Sequence, residues 1–410
     1  MAGRPARAPA GRGGGRGLTA PAGTDVVGAR LDERTRANDR FFAAEADRVA
    51  RLCHRMAERF ARGGRLLALG GAGGPRSDAR HVAVEFVHPV IVGKRALPAL
   101  ALSAEGGALA AQAERVAEPE DMAIAFGDDD AVASALVALR ARGCLTIAGA
   151  GVGAEWAFAP PSDDPAVRQE LTETLYHVLW ELVHVFFEHK GLLEGRTQQP
   201  LHDGGAAGFL YPFLAEREDD LEAVLADVRG SVLMKASDVG ALRAQTLGEG
   251  RAALLAAAGA LRRVLDGGGT LLALGNGGSA TDATDVVADL HAAGRRALDL
   301  TEDPGILTAI ANDIGVEAIF ARQVIAYGRA SDALLALSTS GNSANVIAAL
   351  AEARRRGLVT IAMVGYDGGR VAAEGLADHV VVTRSEHIPR IQEAQASAYH
   401  LLVELVGRHA

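Results

Sequence analysis

The sequence predicts an α/β protein with two doubly wound parallel sheets, each covered by helices on both faces. Short apolar runs alternate with helical patterns, as at 271–292 and 334–356, and such alternation is typical of a parallel sheet between helix layers. The pattern occurs twice, because residues 63–70 match residues 268–275. The length of 410 residues also favours at least two domains.

The composition fits this fold and argues against nucleic acid and membrane as partners. Hydrophobic residues make up 49% and aromatic residues 4%, which predicts cores of Ala, Leu and Val. A formal net charge of -9 argues against a nucleic-acid-binding body. The chain has no apolar run of about 18 residues, so we expect no membrane span. Two cysteines, Cys53 and Cys144, are expected as free thiols in a cytoplasmic protein.

The chain begins with a segment unlike the rest. Residues 1–24 hold four arginines and no acid among many Gly, Pro and Ala, a composition typical of a disordered tail. The segment lacks the apolar centre of a secretory signal. We expect the first copy of the fold at 25–190, a linker rich in Gly, Gln and Pro at 191–208, and the second copy at 209–410.

Each copy is predicted to open with helices that precede the first strand. The patterns place these helices at about 34–62 and 219–265. We expect the second one to break near Gly230 or Gly240, because glycine weakens a helix interior. Each copy then ends in a long helix, in which Gln169-Glu170 and Gln392-Glu393 are followed at the same distance by a histidine.

Two loops of the second copy form a predicted phosphate cradle. An apolar strand ends in Gly275-Asn-Gly-Gly-Ser279, and another ends in Ser338-Thr-Ser-Gly-Asn-Ser343; each leads into a helix. A helix N-terminus points free N–H groups at an anion, and glycine permits close approach. Neither loop has the Lys-Ser/Thr of a nucleoside triphosphatase or the spacing of a dinucleotide fingerprint.

The first copy has lost these loops. Its first loop contains Pro75, which removes an N–H group from the turn. Its second loop reads Ala125-Phe-Gly-Asp-Asp-Asp130, and three adjacent carboxylates repel a phosphate. We therefore expect that the first half does not bind a sugar phosphate by itself.

The first copy instead carries a set of chemically versatile side chains. His81 and Glu85 lie four residues apart and share a helix face, while Gln169 and His177 broadly share a face of the last helix. The corresponding residues of the second copy are Asp285, Asp289, Gln392 and His400. Solvated helix faces and a buried core histidine are alternative interpretations of these residues.

Together these motifs resemble the SIS (sugar isomerase) domain, specifically that of the phosphoheptose isomerases, over residues 270–406. The matching segments, in family order, are Gly275–Ser279, Asp282-Ala283, Ala311-Asn-Asp313, Phe320-Ala-Arg-Gln323, Ser338–Ser343, Asp367-Gly-Gly369, Arg390-Ile-Gln-Glu393 and His400. The resemblance implies that substrate is bound by Asn276, Gly277, Gly278, Ser279, Asn312, Asp313, Ser338, Thr339, Ser340, Ser343 and Gln392.

The resemblance also implies a reaction, the aldose–ketose isomerisation of sedoheptulose 7-phosphate to glycero-manno-heptose 7-phosphate. In these isomerases a His-x-x-x-Glu pair, a Gln and a His form a zinc site, and the Glu and the second His also transfer protons. The matching metal set here is His81, Glu85, Gln169 and His177. The candidate base is Glu85 or Asp289, and the candidate acid is His177 or His400.

We expect a homo-oligomer in which the two halves pair pseudo-symmetrically and share a site for a phosphorylated sugar. Two alternatives stay open. One is a non-catalytic sugar-phosphate sensor, since the half with intact loops has lost the His and the Glu. The other is a protein-interaction scaffold like the family member that binds the replication initiator.

Overall fold

A computed structural model describes residues 25–90, 94–103, 108–188, 192–193 and 220–407. The predicted tail lies outside the described residues, and so does the predicted linker apart from Leu192 and Leu193.

Helices and strands alternate through both halves of the described chain. The helices are α1 Val26–Ala61, α2 Gly74–Val87, α3 Leu109–Val116, α4 Asp130–Ala141, α5 Pro165–Glu188, α6 Leu221–Glu249, α7 Arg251–Asp266, α8 Gly278–Ala292, α9 Pro304–Asp313, α10 Ile319–Tyr327, α11 Ala344–Arg355, α12 Gly369–Ala373 and α13 Ile388–Gly407. The strands are β1 Leu66–Gly70, β2 Ala99–Leu102, β3 Met122–Phe126, β4 Leu145–Gly149, β5 Trp156–Phe158, β6 Leu271–Leu274, β7 Ala297–Asp299, β8 Ala333–Ser338, β9 Val359–Gly365 and β10 His379–Thr383.

The strands form two five-stranded sheets, β2-β1-β3-β4-β5 and β7-β6-β8-β9-β10, in which every pair is parallel. The predicted α/β fold with two doubly wound sheets is confirmed. In each sheet the chain runs outward on one side of the first strand and returns to the other side. The crevice at this reversal, outside the carboxyl ends of the strands, is where such sheets bind ligands.

The long helix before the second sheet breaks at Gly250, so the predicted break near Gly230 or Gly240 was wrong. Gly240 lies where α1 crosses α6, with Asn38 Nδ2 3.7 Å from the position of a Cβ atom. The Asn38 amide donates a 2.9 Å hydrogen bond to the carbonyl of Ala236. Packing against α1 thus keeps α6 helical at Gly240, although glycine lowers helix propensity.

The two halves pack through their functional helices. Helix α2 packs against α8, and α5 packs against α13. Ser77 Oγ on α2 donates a 2.9 Å hydrogen bond to the carbonyl of Thr281 on α8. Buried ion pairs also cross between the halves, among them Arg390 with Glu181. The helices that carry the predicted site residues therefore meet at the centre of the molecule.

Candidate functional site

The two loops predicted to cradle phosphate lie side by side in the structure. Strands β6 and β8 are hydrogen-bonded neighbours, so their carboxyl ends meet at one edge of the sheet. The side chains of Asn276 and Asn345 exchange two hydrogen bonds of 3.0 and 2.8 Å across the gap. Asn345 was not predicted as a site residue, although it lies only two positions beyond the serine-rich loop. The pair holds the loops in a fixed relation.

Both loops end in helix N-termini whose N-cap residues, Gly277 and Ser343, make no side-chain capping hydrogen bond; in α11 only the Val346 amide finds a side-chain acceptor among the described residues, Asn345 Oδ1 at 2.9 Å. Gly277 precedes α8 with a positive φ of 56°, and Ser343 precedes α11 in an extended conformation. Within the second loop, Ser338 Oγ and Ser340 Oγ accept hydrogen bonds from the amides of Gly341 and Asn342. The uncapped N–H groups and the helix dipoles favour an anion at this place.

In the first half the side chain of Asp129 occupies the helix N-terminus that corresponds to the N-terminus of α11. Asp129 caps α4, and its Oδ1 accepts a 2.9 Å hydrogen bond from the amide of Val132. Its other oxygen lies 3.4 Å from where a Cβ atom on Gly71 would be. The side chain therefore extends towards the first loop as well. An incoming phosphate would meet a fixed negative charge at this helix N-terminus.

The proton-transfer residues predicted in the first half come together in the interior. His177 Nε2 lies 3.3 Å from His81 Nε2, and Glu85 Oε1 lies 3.8 Å from the same His81 atom. All three side chains are buried. The fourth neighbour comes from the other half, because Gln392 Nε2 lies 3.2 Å from His81 Nε2.

Gln169, predicted to join this set, lies elsewhere. Its Nε2 donates a 2.8 Å hydrogen bond to Asp285 Oδ2, which also accepts one from the Tyr399 hydroxyl. The last helices of the two halves, α5 and α13, pack against each other. Gln169 of α5 therefore reaches α8 of the second half, and Gln392 of α13 reaches α2 of the first half. Gln392 thus takes the place beside His81 that the sequence pattern gave to Gln169. Sequence spacing does not show such an exchange.

The set around His81 fits a tetrahedral zinc ion. Zinc binds imidazole nitrogen at about 2.0–2.1 Å, which places two ligand nitrogens about 3.3 Å apart, the separation found between His81 Nε2 and His177 Nε2. Glu85 Oε2 and Gln392 Oε1 have no hydrogen-bond partner among the described residues. Turning the Gln392 amide by 180° brings its oxygen towards His81. Two nitrogens and two oxygens then converge.

Burial favours the neutral form of each titratable side chain in this set. It lowers the pKa of His81 well below its usual range and lowers the pKa of His177 to about 3. Both imidazoles are therefore neutral, which is the form that binds a metal or accepts a proton. Burial also raises the pKa of Glu85 to about 8, close to the value that suits proton transfer near neutral pH.

The pseudo-equivalent set around His400 has a different character. Burial alone would lower the pKa of His400. Glu170, whose Oε1 lies 3.0 Å from Nδ1, raises this pKa by more through its hydrogen bond and its charge, so the net shift is upward. A raised pKa disfavours the neutral imidazole that a metal needs. His400 Nε2 lies 3.9 Å from Asp289 Oδ2, and the Asp289 side chain is 43% exposed. Asp285 is engaged by Gln169.

Several buried acids near the centre were not predicted as site residues. His81, Glu173 and Asp282 form a second group whose ligand atoms are close enough to hold a cation. Asp282 Oδ1 lies 3.9 Å from His81 Nδ1. Burial raises the pKa values of Asp282 and Glu173 well above the usual range. Asp282 belongs to the family-like segment, but nothing in the sequence indicated that it faces the other half.

Two predicted substrate residues, Asn312 and Asp313, make no hydrogen bond to the loops among the described residues. They end α9, are exposed, and hydrogen-bond to each other at 2.7 Å. Thr339, between the serines of the second loop, is half-buried, and Ser279 is buried in the first turn of α8.

A groove of about 530 Å³ opens beside the first anion loop. It lies between α8 and α2, and its lining includes Gly277 and Thr281 from the second half with Arg80, Val84 and His88 from the first. Its volume is within the range of small-molecule sites.

No helix in the described part of the chain is long and apolar enough to cross a membrane.

Comparisons with known proteins show which family the chain resembles. A family model for the SIS domain matches residues 236–365. A phosphoheptose isomerase from Chlorobium phaeobacteroides is 42% identical over 174 residues, which cover 40% of this chain and 76% of that protein. One from Helicobacter pylori is 41% identical over 155 residues, which cover 36% of this chain and 80% of that protein.

A solved structure extends the likeness in fold to both halves. The C-terminal domain of glucosamine-fructose-6-phosphate aminotransferase from Francisella tularensis has a TM-score of 0.58 at 11% identity, and the match covers 94% of this chain and 96% of that domain. At this identity the likeness concerns the fold alone. The close relatives place the chain by sequence: it belongs to the SIS-domain family that includes the phosphoheptose isomerases.

Proposed function

We propose that this chain is a sugar-phosphate isomerase acting on sedoheptulose 7-phosphate, with one active site shared between its halves. One observation carries the proposal. Gly278, the first residue of α8 after the anion loop, lies directly against His81 and Gln392, so that a Cβ atom there would be 2.5 Å from His81 Nε2. The chemical set of the first half therefore adjoins the anion loop of the second half.

The second half would hold the phosphate. The phosphate would be bound by the free N–H groups at the N-termini of α8 and α11 and by the hydroxyls of Ser340 and Ser343, which belong to the loops at the carboxyl ends of β6 and β8. Charge-assisted hydrogen bonds from such groups to phosphate are short and strong. The groove beside Gly277 offers room for the rest of the sugar. The relatives named phosphoheptose isomerase supply the substrate class.

The first half would then move the protons. Glu85 takes the proton from the carbon next to the carbonyl group, and the bonding electrons form the enediol. The proton then returns from Glu85 to the neighbouring carbon. In the metal-free site, the Nε2 lone pair of neutral His177 would transfer the hydroxyl proton between the two oxygens. The low-dielectric surroundings of these buried groups strengthen each interaction with developing charge.

His81, Glu85, His177 and Gln392 would hold a zinc ion, which when bound supplies a positive charge that polarises the carbonyl group. The residues of the second set do not fit this role as well, because Glu170 raises the pKa of His400 and Gln169 engages Asp285. We further propose that copies of this chain assemble into a homo-oligomer, as expected from the family.

A pair of matched variants tests the shared site. Glu85→Gln should lower turnover of sedoheptulose 7-phosphate by about 10²–10⁴-fold, the usual effect of losing a positioned base. The substrate-induced rise in Tm should remain, because base removal acts on the transition state. Asp289→Asn, at the pseudo-equivalent position, should retain turnover. The reverse pattern would move the base to the second half.

A second experiment tests the phosphate cradle. A ligand that binds only the folded state raises Tm with its concentration, and Ser340→Ala/Ser343→Ala should abolish the rise caused by sedoheptulose 7-phosphate. An unchanged rise would place the phosphate elsewhere. A rise in wild-type Tm without turnover, with or without added zinc, would identify a non-catalytic sensor. Neither turnover nor a rise would favour the scaffold.

A further inference from the structure

We infer that Glu393 is a positioning residue that orients His177 across the boundary between the halves. The inference rests on the proposed function, since it concerns the same site. Glu393 Oε1 lies 2.9 Å from His177 Nδ1, and neither side chain is exposed to solvent. Glu393 is on α13 of the second half, whereas His177 is on α5 of the first half. Glu393 does not belong to the set around His81.

The position of Glu393 is itself fixed by buried charges. Arg390 Nη1 lies 2.9 Å from Glu393 Oε2, and Arg390 Nη2 donates a 2.6 Å hydrogen bond to Glu181 Oε1. Lys235 also donates to Glu181. Carboxylates and cations therefore alternate from α6 through α5 to α13. A buried ionised carboxylate requires such a counter-charge, and Arg390 supplies it beside Glu393.

This contact selects one tautomer of His177. Arg390 lies 2.9 Å from the Glu393 carboxylate and supports its charged form, which only accepts hydrogen bonds. We therefore expect His177 to carry its proton on Nδ1, 2.9 Å from Glu393 Oε1. The lone pair is then on Nε2, the atom that faces His81 at 3.3 Å. The opposite tautomer would place an N–H group in the centre of the set. A carboxylate on the far nitrogen also makes the imidazole a better ligand.

The other half provides a matched control. Glu170, at the position corresponding to Glu393, contacts His400 Nδ1 at 3.0 Å. Glu170 is held by Arg34 and by the hydroxyl of Ser397. The two histidines are therefore each oriented by a carboxylate of the opposite half, but only His177 faces the metal-binding and proton-transfer set. Changes at Glu170 should leave that set intact.

The test is the tautomer of His177 in the full-length protein, free of metal, at pH 8. Long-range proton–nitrogen NMR spectra of histidine-labelled protein distinguish the two tautomers, and His177→Gln assigns the signal. We expect the Nδ1–H form in the wild type and in Glu170→Gln, and a mixture of both tautomers in Glu393→Gln, because a glutamine amide can either accept from Nδ1 or donate to it. Zinc affinity, measured by chelator competition, should fall about 10–100-fold in Glu393→Gln and should change less than two-fold in Glu170→Gln.

The wild-type spectrum alone decides the point if Glu393→Gln does not fold. An Nε2–H tautomer in the wild type, or equal zinc affinity in Glu393→Gln and the wild type, would overturn the inference. Neither readout involves a sugar. The predicted tautomer without any isomerase activity would therefore contradict the proposed function and leave the role of Glu393 standing.

Discussion

A single added methyl group at Gly278 should disturb the contact between the anion loop of the second half and His81 of the first half. In Gly278→Ala the new Cβ would be 2.5 Å from His81 Nε2 and closer still to Gln392 Nε2, whereas ordinary contact begins at 3.4 Å. The His81 ring must therefore retreat by about 1 Å, and a misplacement of that size can lower a rate about 10²-fold. We expect turnover of sedoheptulose 7-phosphate and zinc affinity to fall together.

Gly74→Ala is the control, because Gly74 is the first residue of α2 and corresponds to Gly278. A Cβ there would lie 3.3 Å from Gln169 and 3.5 Å from Asp285 Oδ1, so a shift of a few tenths of an ångström suffices. Both changes replace glycine with a better helix former, which favours the helix by about 0.5–1 kcal/mol. Steady-state kinetics and zinc competition on both variants give the comparison. Equal activity of Gly278→Ala and Gly74→Ala would refute the placement of His81 at the anion loop.

Three further predictions follow from the same contacts. Without metal, Glu85 keeps its proton in the folded state up to about pH 8 while the unfolded state loses it near pH 4.5, so stability falls as pH rises through that window. Glu85→Gln should therefore raise Tm at pH 8 more than at pH 4, and equal changes at both pH values would contradict this. Elemental analysis should find zinc lost from His81→Ala and retained in Asp285→Ala, and the reverse would move the site. Asn345→Ala removes both hydrogen bonds to Asn276, so calorimetry should show about 5–10-fold weaker heptose-phosphate binding; unchanged affinity would show that the pair does not shape the cradle.

The fold was predictable because its signals are local. Apolar strands followed by loops such as Gly275–Ser279 predict a parallel sheet from short-range patterns, and the repeat predicts two sheets. The break in the second helical lead-in was not predictable in the same way. Gly230 and Gly240 are helix breakers by propensity, but contacts with α1, including that from Asn38, keep α6 continuous.

The site was predictable only as far as it depends on spacing along one helix. His81 and Glu85, four residues apart on α2, do share a face. Gln169 and Gln392 have identical local patterns, and only the crossing of α5 and α13 decides that Gln392 reaches His81. Long-range contacts of this kind leave no periodic trace in one sequence.

The asymmetry between the halves follows from charges that the repeat itself supplies. At the first-half cradle, Asp129 already caps the helix that would meet a phosphate. At the second-half set, Glu170 raises the pKa of His400, whereas burial lowers that of His177 to about 3 and keeps this imidazole neutral. The unfilled cradle and the neutral histidine belong to opposite halves, yet they adjoin at Gly278. Under the proposed shared site, a fused pair can lose one function in each copy and still retain one complete site, because each copy would supply what the other has lost.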